Sequence, residues 1–222
     1  MTGTLHDALI DVRKAYRLLA DYQQHMFELL AYIRNQLGAE TYHHQYAYTV
    51  PRSLDGLEIH DNSGWRYLPF YDLSAIWLKP SGQDNDRQAE PWDNHRINDL
   101  MYGAWMRSDT GFDIHSGKFN DTPIEQTRSE LVLSVVVCDV PGTAPYNWYF
   151  NVWQGMDYPE DGEVNSTDLP GYRCFSKTIP LEQLGDEAAI KAAVEEWRCL
   201  ASQKLELPKE IFSKKERQHI FP

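Results

Sequence analysis

The chain reads as an α+β fold: a mainly antiparallel sheet of about five strands, with a long N-terminal helix and a C-terminal helix packed on one face. Three observations predict it. A stretch without Pro or Gly runs from Leu5 to Leu37 with apolar residues at helical spacing. The pattern then changes to period two, in short runs separated by turn residues. A second helical stripe follows, with Pro208 just beyond its end. The organisation expected is a long amphipathic helix over 1–38, an α+β body over 39–208 and a charged tail over 209–222.

Thr4 caps the first helix, Asp7 puts a negative charge in its first turn, and Gly38 stands where a left-handed residue ends it. At 1.5 Å per residue it is roughly 50 Å long. With Leu5 at heptad position a, that row holds Leu5, Val12, Leu19, Met26 and Ile33. The d row holds Ala8, Ala15, Tyr22 and Leu29, and the e row Leu9, Tyr16, Gln23, Leu30 and Leu37. Row c is polar throughout, while Leu18 and Phe27 widen the apolar stripe. Three rows exceed the two-row seam of a simple coiled coil. The protein's own sheet covers such a stripe, or a second copy or partner does, or both if the helix projects past the domain edge. The candidate partner-binding residues are Leu5, Leu9, Val12, Tyr16, Leu19, Met26, Leu30 and Ile33.

Thr41–Val50 is β-branched and aromatic and stops at Pro51, so a strand is expected there. Leu54–Gly64 is turn-like. Trp65–Leu78 gives one bent strand or two, interrupted at Pro69. Tyr71, Leu73, Ala75 and Trp77 face one way; Asp72, Ser74, Ile76 and Leu78 face the other. A polar loop follows from Pro80 to about Asn94. Ile97, Leu100, Met101 and Ala104 then allow a short helix over Arg96–Met106. Gly111–Asn120 is loop-like, and one brief helical turn is expected just after it.

Glu130–Val140 (ELVLSVVVCDV) is apolar on both faces, as a central strand should be. After a turn over 141–145, the aromatic segment Asn147–Gln154 is expected to return as its hairpin partner. An acidic loop leads to a strand over Tyr172–Ile179. Asp186 caps a helix from Glu187 to about Gln203, whose buried stripe is Ile190, Ala193, Val194, Trp197, Leu200 and Ala201. The tail from Lys209 is expected to be loosely held.

At 222 residues, 42% of them hydrophobic and 24% charged, the chain supports one substantial core. A net charge of -12 argues against nucleic acid or an anionic membrane as partner. It admits an acidic decoy of a DNA-binding protein, if the acids gather on one face. Cys138, Cys174 and Cys199 are too few and scattered for a disulfide framework or zinc site. With no signal-peptide pattern and no apolar run near twenty residues, a reduced, cytoplasmic setting is expected.

No phosphate loop and no nucleophile elbow occurs, and neither cofactor nor resident metal is expected. The segment Asp157–Asp168 resembles a calcium loop only in part, because Pro159 and Asp168 break its ligand pattern. His43 and His44 are adjacent and point to opposite faces of a strand. His60, His95 and His115 lie in loops, each near an Asp, without metal-selecting spacing.

One constellation bears chemistry. Asp72 and Asp139 stand on or at the end of strands, with Asn151 on the next; if they met at one sheet edge, His115 would complete a metal-dependent hydrolase or nuclease. The missing Lys or Arg in Leu131–Val140 counts against it. Trp65, Tyr67, Trp77, Tyr149 and Trp153 alternate along strands, so those facing away from the helices would make a ligand or partner surface. The leading expectation is a non-enzymatic interaction protein that self-associates, or binds a protein partner, through its N-terminal helix.

Overall fold

A computed structural model describes residues 4–46, 72–81, 93–113, 118–119, 122–143, 146–166 and 168–214. Trp65, Tyr67, His60 and His115 lie outside them, as does the expected strand before Asp72. The elements follow in chain order: α1 (Leu5–Leu37), β1 (Glu40–Tyr46), β2 (Asp72–Lys79), β3 (Leu100–Arg107), β4 (Phe112–Asp113) and β5 (Lys118–Phe119). Next come β6 (Glu130–Cys138), β7 (Val164–Asn165), β8 (Tyr172–Pro180) and α2 (Glu187–Leu205). The main sheet has six strands in the order β1-β2-β3-β6-β8-β7, every pair antiparallel. Five of them are long, and β7 is a two-residue edge. The fold is α+β, with both helices on one face.

α1 begins with a reciprocal cap. Thr4 N donates to Asp7 Oδ2 (3.0 Å), and Asp7 N donates to Thr4 Oγ1 (3.3 Å). The Thr4 hydroxyl, donating to Asp7 Oδ2 at 2.8 Å, and then Thr4 N hold the Asp7 carboxyl below its ordinary range. At the other end Gly38 takes φ 66°, and a Cβ there would lie 2.7 Å from Lys214 Cα, so both the turn and the returning chain require glycine. The helix divides into two halves. Met26, Leu29, Leu30, Ile33 and Leu37 are buried against the sheet and α2, whereas Leu5, Leu9, Val12 and Tyr16 are exposed. The Tyr22 hydroxyl, donating to Ser108 Oγ just past β3 (3.0 Å), marks the boundary.

Opposite faces of the sheet carry two separate cores. Beneath the helices lie Leu73, Ala75 and Trp77 of β2, Leu100, Tyr102 and Met106 of β3, and the odd-numbered residues of β6 from Leu131 to Val137. The α2 stripe (Ile190, Val194, Trp197, Ala201, Leu205) closes over them. Trp197 sits at the centre, its ring 6.0 Å from both Tyr102 and Phe175, and its Nε1 donates to Leu133 O at 3.0 Å. On the opposite face Ile76, Leu78, Met101, Val136, Cys138 and Cys174 pack under Trp148, Val152 and Met156.

Three expectations need correction. Residues 100–107 are a strand, not a helix. β3 is buried on both faces, so its apolar run is continuous and fits either period. Asn147–Gln154 is not a hairpin strand, because β6 already has β3 and β8 as neighbours and offers no free edge. The segment instead forms one π-helical turn, Trp148–Trp153. Asn147 Oδ1 accepts from Tyr149 N and Phe150 N (2.9 and 3.1 Å), and Trp148 and Val152, four apart, both point into the second core. The tail is not loose at its start: Phe212 is fully buried. Lys79 Nζ, donating to Ile211 O (2.7 Å), and Arg198 Nε, donating to Phe212 O (3.2 Å), clamp the backbone around it.

Two outcomes follow from this packing. Trp197→Ala removes the central ring and strands Leu133 O, and is expected to cost about 3–5 kcal/mol in urea unfolding followed by circular dichroism. Burial pushes the Cys138 thiol up to about 11, helped by the Asp99 and Asp139 charges, and the Cys174 thiol up to about 12. Cys199 is exposed. A thiol reagent at neutral pH should therefore label Cys199 alone in the folded protein, and all three cysteines in denaturant.

Candidate functional site

The sheet face turned away from the helices shows alternate residues of each strand, so the register dictates its chemistry. Arg107 of β3 stands opposite Glu130 of β6 at the end of the sheet. One step inward, Ser74, Trp105, Val132 and Thr178 form a row across β2, β3, β6 and β8. The next row is Ile76, Gly103, Ser134 and Ser176. Beyond it the second core begins.

Trp153, at the end of the π-helical turn, separates that core from open space. Its ring lies on Gly103, where a Cβ would sit 2.6 Å from Trp153 Cζ3 and 2.5 Å from Ser134 Oγ; only glycine lets ring and strand approach this closely. On the far side of Trp153 is a cavity of about 640 Å³. The row of Ser74, Trp105, Val132 and Thr178, with Gly103, Ser134 and Ser176 of the next, floors it, and Trp153, Gln154, Tyr158 and Pro159 wall it. Its size is that of a small-molecule pocket.

The polar groups of the floor are buried. Ser134 Oγ donates to Gly103 O (3.2 Å). Ser74 and Ser176 are each 2% exposed; the Ser74 hydroxyl oxygen has no hydrogen-bond partner, and that of Ser176 has none but sulfur. Ser176 neighbours the Cys174 thiol, and sulfur is a weak partner. A hydroxyl left so costs about 1–3 kcal/mol. Arg107 Nη1 meets Glu130 Oε1 at 2.6 Å, and the guanidinium lies 5.0 Å from the centre of the Trp105 ring. These two are the charged side chains among the described lining residues, and they neutralise each other.

The register separates the two carboxylates expected to meet. Asp72 opens β2 and pairs with Arg107, at the Glu130 end of β6; Asp139 follows Cys138 at the other end. Nine residues of strand lie between those ends, roughly 30 Å. Asp139 is instead bound by Arg173 through both oxygens (2.6 and 2.9 Å), and Arg173 Nη1 also donates to Leu205 O at the end of α2 (2.5 Å). Asn151 accepts from Asn147 N (2.8 Å) within its own turn. His95 is a core residue: its ring stacks on Trp148 (3.8 Å between centres), and its Nδ1 is 2.7 Å from Tyr172 OH. Among the described residues no group of three His, Cys, Asp or Glu could hold a metal ion. In the acidic loop, burial acts to raise the Asp161 carboxyl, but bonds from Thr178 N (2.6 Å) and Lys177 Nζ (2.9 Å) outweigh it and hold the group low.

The expected aromatic surface divides. Trp77 belongs to the helix-side core and is 1% exposed. Tyr149 is half-buried against the second core and near His43 (4.7 Å between rings), and Trp153 walls the cavity. Of the expected partner-binding residues, Met26, Leu30 and Ile33 cover the protein's own core, Leu19 is half-buried, and Leu5, Leu9, Val12 and Tyr16 face solvent. The cavity itself was missed. Its sequence signal is a small residue inside each central strand: Ser74 in DLSAIWLK, Gly103 in LMYGAWMR, Ser134 in ELVLSVVVC and Ser176 in YRCFSKTIP.

No helix among the described residues is long and apolar enough to cross a membrane. No solved structure matches the chain. It is 32% identical over 207 residues to the "Uncharacterized protein PM0109" of Pasteurella multocida (strain Pm70), an alignment covering 90% of this chain and 96% of that protein. The model of the PM0109 family matches residues 2–206, from the start of α1 to the end of α2, and the chain belongs to that family.

Proposed function

We propose that the protein is a non-enzymatic interaction protein that self-associates through the N-terminal half of α1. The observation that carries this reading is the continuation of one apolar stripe beyond the body. The residues at a and e that bury Met26, Leu30 and Ile33 recur at Leu5, Leu9, Val12 and Tyr16, where they are 77%, 47%, 49% and 68% exposed. A helical stretch of this length is marginal in water without tertiary packing. Covering its stripe supplies the missing stabilisation, at about 25 cal/mol per Å² of apolar surface.

Charge selects a second copy as the occupant. The chain carries a net -12, so two bodies repel, whereas the projecting segment balances Asp7, Asp11 and Asp21 against Arg13, Lys14 and Arg17. Antiparallel pairing about Val12 sets the acidic first turns of one copy alongside the basic stretch of the other, and it opposes the helix dipoles. The bodies then stand at opposite ends of a segment roughly 25 Å long, well beyond the screening length of about 8 Å at physiological salt. Ala8 and Ala15 beside the seam allow close approach of the axes. The dispersal of Asp72 and Asp139 to opposite ends of the sheet weighs against the hydrolase alternative.

Light scattering on the full chain is expected to show a dimer in the micromolar range, and Leu9→Glu with Val12→Glu a folded monomer. A monomeric wild type, or a dimeric variant, overturns the proposal. Orientation has its own test in a Cys199→Ser background. Oxidation should cross-link Leu5→Cys chains to Leu19→Cys chains, and neither variant to itself.

A further inference from the structure

We infer that the cavity beneath Trp153 is a binding site for a small neutral, hydroxyl-rich ligand with the chemistry of a short saccharide of two or three rings. The inference is independent of the helix-mediated assembly proposed above. It rests on the two seryl hydroxyls that the fold buries on the cavity floor, Ser74 on β2 with no partner and Ser176 on β8 with only the Cys174 thiol. A hydroxyl accepts and donates, and a ligand hydroxyl meets both needs. Nothing in the sheet requires serine at either position, since alanine would occupy the same place in the pleat with no polar group to satisfy.

Three features define the ligand class. First, the lining combines hydroxyls and an amide (Ser134, Thr178, Gln154) with aromatic rings (Trp105, Trp153, Tyr158). Sugar rings present the matching pair of surfaces, a polar rim and an apolar C–H face, and aromatic side chains have the complementary amphipathic form. Second, the charged lining groups, Arg107 and Glu130, satisfy each other at 2.6 Å. No uncompensated cation is left among the described lining residues for a phosphate or carboxylate, which disfavours nucleotides and organic acids. Third, Ser74 and Ser176 lie three strand spacings apart, roughly 14 Å across the sheet. One sugar ring or one nucleobase cannot reach both, and a chain of two or three rings laid across the strands can. A volume of about 640 Å³ accommodates that length.

The test titrates the full-length protein with cellobiose, maltose and lactose, with adenosine and AMP as comparators. Binding is read by tryptophan fluorescence and by saturation-transfer NMR. At least one disaccharide is expected to bind with a Kd in the millimolar range or tighter and to raise Tm by about 2–4 °C at saturation. The Ser74→Ala/Ser176→Ala variant should bind it at least tenfold more weakly, while its own ligand-free Tm stays equal to or above that of the wild type, because one unsatisfied hydroxyl and one bonded only to sulfur are gone. Leu9→Glu with Val12→Glu, remote from the cavity, should bind as the wild type does. The inference is overturned if no disaccharide binds, if adenosine or AMP binds in preference, or if binding survives loss of both hydroxyls. A lower Tm for the serine variant would show the hydroxyls to be structural and would overturn it equally.

Discussion

The structure depends on one constraint: strands β3 and β6 are apolar on both faces, so the sheet must be covered twice. One cover is regular. The α2 stripe and the second half of α1 lie across Trp77, Tyr102, Leu133 and Val135, and Trp197 bonds directly to the backbone of β6. The other, among the described residues, is a π-helical turn too short to span the sheet. It shields Ile76, Met101, Val136 and Cys174 and ends at Trp153, seated on Gly103. Where the cover stops the floor changes from apolar residues to Ser74, Ser134, Ser176 and Thr178, and the cavity opens there. The pocket is thus a consequence of unequal covering, bounded by the one ring that glycine admits.

The same accounting applies to α1. Among the described residues, the part from Tyr22 onward packs on the body. At the far end of that part, Gly38, Lys79 and Arg198 gather the returning tail and bury Phe212 beside Trp197, so the packed half is held from several sides. In the half before Tyr22 the same stripe is exposed at Leu5, Leu9, Val12 and Tyr16. Rigidity at one end and exposure at the other make the helix a lever fixed in the body. The two surfaces discussed above, helix tip and cavity, lie on different layers and share no residue.

Much of this was legible in the residues. Thr4, Asp7 and Gly38 mark the ends of α1, Asp186 the start of α2, and the doubly apolar run of β6 its central place, because caps and periodicity act within a few residues of chain. The errors came where that locality fails. Leu100–Arg107 fits a helical face as well as a buried strand, and only its neighbours β2 and β6 decide between them. Asn147–Gln154 has strand composition, yet both edges of β6 were already taken. Small residues inside the four central strands were visible, but they become a cavity floor only once the register aligns them.

The sequence by itself determined the α+β class, the unbroken first helix with its apolar stripe, and the doubly apolar run of Glu130–Val140, since each follows from local propensity and the spacing of apolar residues. Tertiary structure alone decided how far along α1 the body reaches, and that Asp72 and Asp139 stand at opposite ends of the sheet. It also decided that Ser74 and Ser176 line one pocket. Register and the order of strands join residues distant in the chain, and no short-range pattern encodes which of them will face one another.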